Sequence, residues 1–299
     1  MSAALEKLLF VVGLVIVAAV VAITRRMWAP AAGHALPCIW RIAKITVAEA
    51  RRRRVIQAVV VLVVMILASM NFFSYLSPQE QSRMLISGGL ASITVFGILL
   101  SIFVAAFMIP QEIENRTVYA ILAKPVRRFE FVMGKYLGAL IILGAIVAIL
   151  TVVLVGVLVL QDRLVQDLPD SKFDPNLGPV IFAAIMSYFA LAVLTALIIL
   201  ISTLASTTMT VISAFIIWAV GSLQSQIYEL AEKATGATKL VLFIIYNVIP
   251  KLENFDFRHQ VSNMLPVSVI SGWHAVIHGV GYTLVVLILA AIFFNDRQV

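Results

Sequence analysis

Charge is what this chain has least of. Only 12% of its 299 residues are Asp, Glu, Lys or Arg, against a hydrophobic share of 62% and a mean hydropathy of +1.05. Soluble domains are about half apolar and a quarter charged, so an ordinary soluble domain is excluded. Several stretches run 18 residues or more without a charge, which defines a polytopic helical membrane protein. No polar stretch is long enough for a separate globular domain. The single cysteine, Cys38, rules out an internal disulfide. A GxxxxGK[ST] loop is missing too: Gly134-Lys135 is followed by Tyr136, so nothing in the chain cradles a phosphate. Residues 56–77, 86–109, 178–202 and 207–226 contain no ionisable Asp, Glu, Lys or Arg. Proton- and sodium-driven carriers keep such groups as relays, and an intramembrane enzyme needs them for catalysis. Any energy for uphill movement therefore belongs to another polypeptide. The net charge of +7 is read as loop anchoring, not as a nucleic-acid footprint.

Seven spans are expected, at about 8–24, 56–77, 86–109, 133–160, 178–202, 207–226 and 273–294. The first has Lys7 before it and Arg25 and Arg26 after it, the reverse of a cleavable signal, so it reads as a retained anchor. Positive residues cluster in 25–54 and 110–135, placing both in the cytoplasm. The loop 161–177 carries Asp162, Asp167, Asp170 and Asp174 and suits the outside. These assignments give an N-terminus outside and a C-terminus in the cytoplasm.

Two apolar segments are not counted as spans. In 38–54, Ile39, Ile42, Ala43, Val47 and Ala50 share one helical face while Arg41, Lys44 and Arg51 lie elsewhere, the pattern of an amphipathic helix at the inner interface. Its charged end, Arg51, Arg52, Arg53 and Arg54, with Trp40, Arg41 and Glu49, is expected to anchor it to anionic lipid. In 239–256 the apolar run is too short to cross and is broken at Pro250 and Asn254, so a re-entrant or interfacial outer segment is expected. Small residues recur at packing spacing in Gly97, Ser101 and Ala105, and in Gly134 and Gly138. Internal packing is the expected use of both sets. His274 and His278 share a helical face without a nearby Cys or carboxylate, so no metal is expected. Gln57, Asn71 and Gln224 read as helix-end or cavity-facing polar groups.

The island 109–138 holds far more polar residues than a simple turn requires. Pro110 suits the first turn of a helix and Pro125 stops one. Between them Ile113, Thr117, Val118, Ile121 and Leu122 form an apolar stripe, with Glu112, Glu114 and Arg116 on other faces. Such a helix either lies on headgroups or docks a soluble partner.

The run Glu112, Glu114, Arg116, Thr117, Leu122, Pro125, Val126, Arg128, Phe131, Gly134, Lys135 follows the pattern E-x-E-x-R-T-x-x-x-x-L-x-x-P-V-x-R-x-x-F-x-x-G-K. It resembles the membrane subunits of ABC type-2 exporters, and most closely the branch of nitrous-oxide-reductase maturation and gliding-motility permeases. Residues 42–54 are similar to the family's elbow helix, Tyr246-Asn-Val-Ile-Pro-Lys-Leu-Glu-Asn-Phe-Asp256 to its outer hairpin, and Phe293-Phe-Asn-Asp-Arg297 to its terminus. The resemblance covers about 38–299. It departs at the span 8–24, since the family core has six spans with the N-terminus inside.

The resemblance implies an all-α polytopic fold: a six-span permease core (55–299), one extra N-terminal transmembrane anchor (1–27), an interfacial elbow helix (38–54) and an outer re-entrant hairpin. It implies two copies of an ATP-binding subunit, a second permease copy or paralogue, a membrane lipid environment and no nucleic acid. ATP and Mg would sit on the partner, with no cofactor in this chain. Glu112, Ile113, Glu114, Arg116, Thr117, Ile121, Leu122, Pro125 and Arg128 would belong to the ATPase-docking coupling helix. Gly97, Ser101, Gly134 and Gly138 would serve helix packing, and Tyr246, Pro250, Glu253 and Asn254 the outer hairpin. The expected function is export of a cargo across a bacterial cytoplasmic membrane. The competing expectation is a membrane scaffold that docks an ATPase without transporting anything itself.

Overall fold

The computed structural model describes residues 32–52, 54–69, 78–114, 127–165, 177–234 and 237–296. The expected anchor at 8–24 lies outside them. Regular structure among the described residues is entirely helical. In chain order the helices are α1 (Ala32–Arg52), α2 (Arg54–Ser69), α3 (Pro78–Glu114), α4 (Arg128–Val165), α5 (Leu177–Leu204), α6 (Thr207–Ser222), α7 (Gln224–Lys233), α8 (Ala237–Val248), α9 (Arg258–Ser262) and α10 (Val269–Asp296), with a 3₁₀ turn at Leu252–Phe255. Four of them, α3, α4, α5 and α10, are long and apolar enough to cross a bilayer, or five spans result if α6 and α7 are counted as one bent span. The described part of the expected span 56–77 is the short helix α2.

Helix α5 is the centre of the bundle. It is apolar all round, and its middle is covered by protein. Neighbours α3, α4, α6 and α10 supply that cover, and Leu191 through Ile199 are buried without interruption. Against α3 the contact is partly polar: Ser101 Oγ and Thr195 Oγ1 lie 2.8 Å apart, and Gly97 faces Leu191. Hydroxyl pairs and small residues of this kind hold helices together where no hydrophobic driving force separates protein from lipid. Gly97 and Ser101 thus serve packing within one chain.

The segment read as an interfacial helix starts earlier than expected, at Ala32, and packs along α4. Its buried face is Ile39, Ile42, Ala43, Thr46 and Ala50, with Val47 half-buried; Arg41, Lys44, Ile45 and Trp40 point away. The contact is close because α4 presents Gly134 and Gly138. A Cβ at Gly134 would stand 2.6 Å from Cβ of Ile42, and one at Gly138 would stand 2.5 Å from Cγ2 of Thr46 and 3.1 Å from the Ala43 carbonyl. The two contacts advance together along both chains, so α1 and α4 run parallel here.

Residues 207–226, expected as one span, are not one straight helix. The chain bends by 71° between α6 and α7. Leu223, at the break, is neither Gly nor Pro and has φ −114° and ψ 24°. The side chains that meet the break are described with the hairpin below.

Gly138→Leu is expected to push α1 away from α4 and to lower stability by about 1–3 kcal/mol, the usual cost of overpacking. The thermal unfolding midpoint in detergent reads this. Thr46→Ala in the same chain should restore part of the loss, because it removes the atoms the new side chain meets. It should cost little alone, since Thr46 Oγ1 is buried without a hydrogen-bond partner. An unchanged midpoint for Gly138→Leu would contradict the close packing.

Candidate coupling junction and hairpin

The two ends of the bundle carry different chemistry. One end gathers the C-terminus of α3, the N-terminus of α4, the C-terminus of α10 and α1. The other gathers the starts of α5 and α10 with the hairpin 237–257.

At the first end, α4 begins with a half capping box. Arg127 precedes the first helical residue, and its backbone N–H donates to the Glu130 carboxylate at 3.2 Å. A Glu at the third helical position reaching back in this way satisfies an otherwise orphan donor. Glu130 is buried, as is Lys135, whose ammonium lies 5.7 Å from the Phe131 ring centroid. Phe131 stacks on Phe294 near the end of α10, with centroids 5.5 Å apart and an interplanar angle of 15°. Arg128 Nη1 donates to the Phe294 carbonyl at 3.0 Å. A cation at a helix C-terminus is favoured by the macrodipole, by up to about 2 kcal/mol when partly buried. Cys38 of α1 lies beside this cluster. Burial, and then a hydrogen bond with Glu130, push its thiol pKa up.

This arrangement brings together some of the residues singled out from the sequence. Gly134 and Gly138 hold α1, and Arg128 is half-buried on α10, not free at the surface. Glu112, Ile113 and Glu114 form the last turn of α3. Arg116, Thr117, Ile121, Leu122 and Pro125 lie outside the described residues, as does Arg53. On α1, Arg41, Arg51 and Arg52 are exposed, and so is Arg54 at the start of α2; Glu49 is half-buried, and Lys44 lies 5.6 Å from the Trp40 ring centroid. Sequence reading missed the burial of Glu130 and Lys135, because a basic run between two apolar stretches reads as a solvated face. The available signal was the pairing of Phe131 with Lys135 one helical turn on, directly beside Gly134.

At the opposite end, two helix termini are capped by distant side chains. The Ser225 N–H is one of the donors that the start of α7 leaves without an intrahelical partner. It donates to Glu253 Oε2 at 2.9 Å, and Ser225 Oγ donates to the other carboxylate oxygen at 2.7 Å. A carboxylate at a helix N-terminus is also favoured by the dipole. Gln224 answers in the other direction: its Nε2 donates to the carbonyls of Tyr246 at 3.2 Å and Ile249 at 2.7 Å, where α8 ends. Tyr282 of α10 donates to the Val248 carbonyl at 3.0 Å. These caps meet the bend at Leu223, where Glu253 takes a donor that the start of α7 leaves free.

Tyr246 stacks at a tilt on Tyr228 and accepts a 2.7 Å hydrogen bond from Lys251; Pro250 is buried and Asn254 exposed. Phe255 fills the space beside Gly279, where a Cβ would stand 2.8 Å from the ring. Asp256 and Arg258 close the hairpin as an ion pair. Burial alone would raise the Asp256 pKa, but hydrogen bonds and charge from Arg258 hold it below the usual carboxylate value. The pair therefore supports the hairpin above the ordinary carboxylate range and loses that support as pH falls through the depressed value. His274 and His278 are exposed on α10, and among the described residues no group of three His, Cys, Asp or Glu could hold a metal.

Gln224→Leu is expected to leave two carbonyls unpaired, at about 1–3 kcal/mol where they are buried. Hydrogen exchange over 237–257 should rise while exchange over 191–199 stays slow. Glu253→Gln keeps an acceptor and should give a smaller effect in the same direction. Unchanged exchange in Gln224→Leu would show that these caps do not hold the hairpin.

No curated protein matches this chain. A family model described as ABC-2 family transporter protein matches residues 40–299, from within α1 to the C-terminus. That match takes in the junction, the helical bundle and the hairpin. The chain belongs to the ABC-2 transporter family and is a transmembrane permease component.

Proposed function

We propose that this chain is the permease subunit of an ATP-driven exporter, with ATP and Mg held by a separate ATPase subunit that docks on residues 112–125. The observation that carries the reading is the clamping of the flank of that segment. Helix α4 emerges from it and within its first three turns is tied to α10 through Arg128 and Phe131, and to α1 through Gly134 and Gly138. A load applied to the segment is thus passed to two further helices. A loop that merely joined two spans would need no such base. The apolar span interiors permit a lipid-linked, amphipathic or polymeric cargo and select none of them.

The distribution of Lys and Arg supports a cytoplasmic junction and an external hairpin. A cysteine placed at Asn115 in a Cys38→Ser background is expected to resist an impermeant thiol reagent added to intact cells, and to react once the membrane is opened. Labelling from outside would invert the topology.

Glu114→Lys and Arg116→Glu are expected to reduce copurification of an ATP-binding subunit while the permease still inserts. Reversal is the useful change, because an exposed ion pair contributes only about 0–1 kcal/mol and a neutral substitution removes no more than that. Full yield of the complex with both reversals would place this segment on headgroups.

A further inference from the structure

Helix α10 is held near its C-terminus and again near its middle by contacts outside the docking segment. Near its C-terminus the Phe294 carbonyl accepts from Arg128 and the Phe294 ring stacks on Phe131. In its first half Gly279 admits Phe255 and Tyr282 donates to the Val248 carbonyl, so both parts of the hairpin rest on it. The helix is continuous over its 28 residues with no proline, about 42 Å from end to end. It packs on α5 and α4. A continuous helix gripped in this way transmits a shift along its axis instead of absorbing it.

We propose that Arg128 is a positioning residue, not a docking residue: it latches α4 to the end of α10, and α10 couples the junction to the hairpin at the opposite face of the bundle. The coupling to ATP turnover rests on the exporter reading above; the mechanical link between the two ends does not. The link is reciprocal, so disturbing either end must be felt at the other.

Cys38, the chain's single cysteine, sits half-buried at the junction and reports on it without engineering. The full-length permease in lipid nanodiscs is treated with a maleimide, and the rate at Cys38 is measured. Tyr282→Phe removes the hydrogen bond to the hairpin, and Gly279→Leu wedges Phe255 away. Both lie on the hairpin side of α10, about 18–23 Å along the helix from Phe294, yet each is expected to change its rate by about fivefold or more, the lower range of allosteric coupling. Val241→Ala, on the exposed face of α8, is expected to leave it unchanged. No change in Tyr282→Phe and Gly279→Leu, or an equal change in Val241→Ala, overturns the link. If Gly279→Leu does not insert, Tyr282→Phe decides.

The reverse direction uses Asn254→Cys in a Cys38→Ser chain. Arg128→Ala should alter hairpin labelling by a similar factor, and Arg128→Lys, which keeps a donor for the Phe294 carbonyl, should stay near the parent. Capture of the ATPase is read in parallel. Arg128→Ala that loses the ATPase but leaves the hairpin unchanged returns Arg128 to the docking surface and overturns the proposal. A parent chain that captures no ATPase contradicts the exporter reading alone, while the labelling rates still decide the link.

Discussion

The base of α4 is where the rest of the structure is decided. Two glycines one turn apart let α1 approach until a methyl group would not fit between the backbones, and one turn earlier Phe131 and Arg128 seize the end of α10. Three helices that are distant in sequence therefore share one rigid foundation. Without it, α1 would be an amphipathic helix with an apolar face left to lipid, and the start of α4 would carry a buried Glu130 and Lys135 with no reason for their burial. The docking assignment also depends on this base, since a segment attached to a loose helix end moves nothing.

The opposite end solves a different problem. The hairpin creates several helix termini within a short length of chain, and each leaves backbone groups without an intrahelical partner. Gln224, Glu253 and Tyr282 satisfy them from three separate elements. The result is a hairpin built on side-chain caps and aromatic contacts, beside a bundle whose central helix, α5, is buried from Leu191 to Ile199.

Much of this was legible in the sequence where the relevant forces are local. The period of 3.6 in Ile39, Ile42, Ala43 and Ala50 announced the buried face of α1, and the spacing of Gly134 and Gly138 announced a close contact, though not its partner. The long uncharged runs announced α3, α4, α5 and α10. What escaped was non-local. The bend at Leu223 has no proline or glycine at its centre, and the side chain that caps the helix beyond it, Glu253, lies 28 residues from Ser225. Arg128 reads as a surface charge until Phe294, 166 residues away, arrives beside it. Glu130 and Lys135 sit in a basic stretch whose default reading is a wet face, and burial there follows from α1 and α10 lying over α4. The docking residues from Arg116 to Pro125 rest on motif and charge pattern alone.

The central claim is that residues 112–125 are gripped by a soluble ATP-binding subunit, and a photocrosslinking amino acid at Val118 tests it most directly. Val118 lies on the apolar stripe of the segment, the face that a groove on the partner would cover. Irradiated in native membranes, the probe should yield one dominant adduct with an ATP-binding protein, identified by mass spectrometry and dependent on light. Adducts with phospholipid alone, and none with any nucleotide-binding protein, would show that the segment rests on headgroups and that this chain does not draw its energy through it.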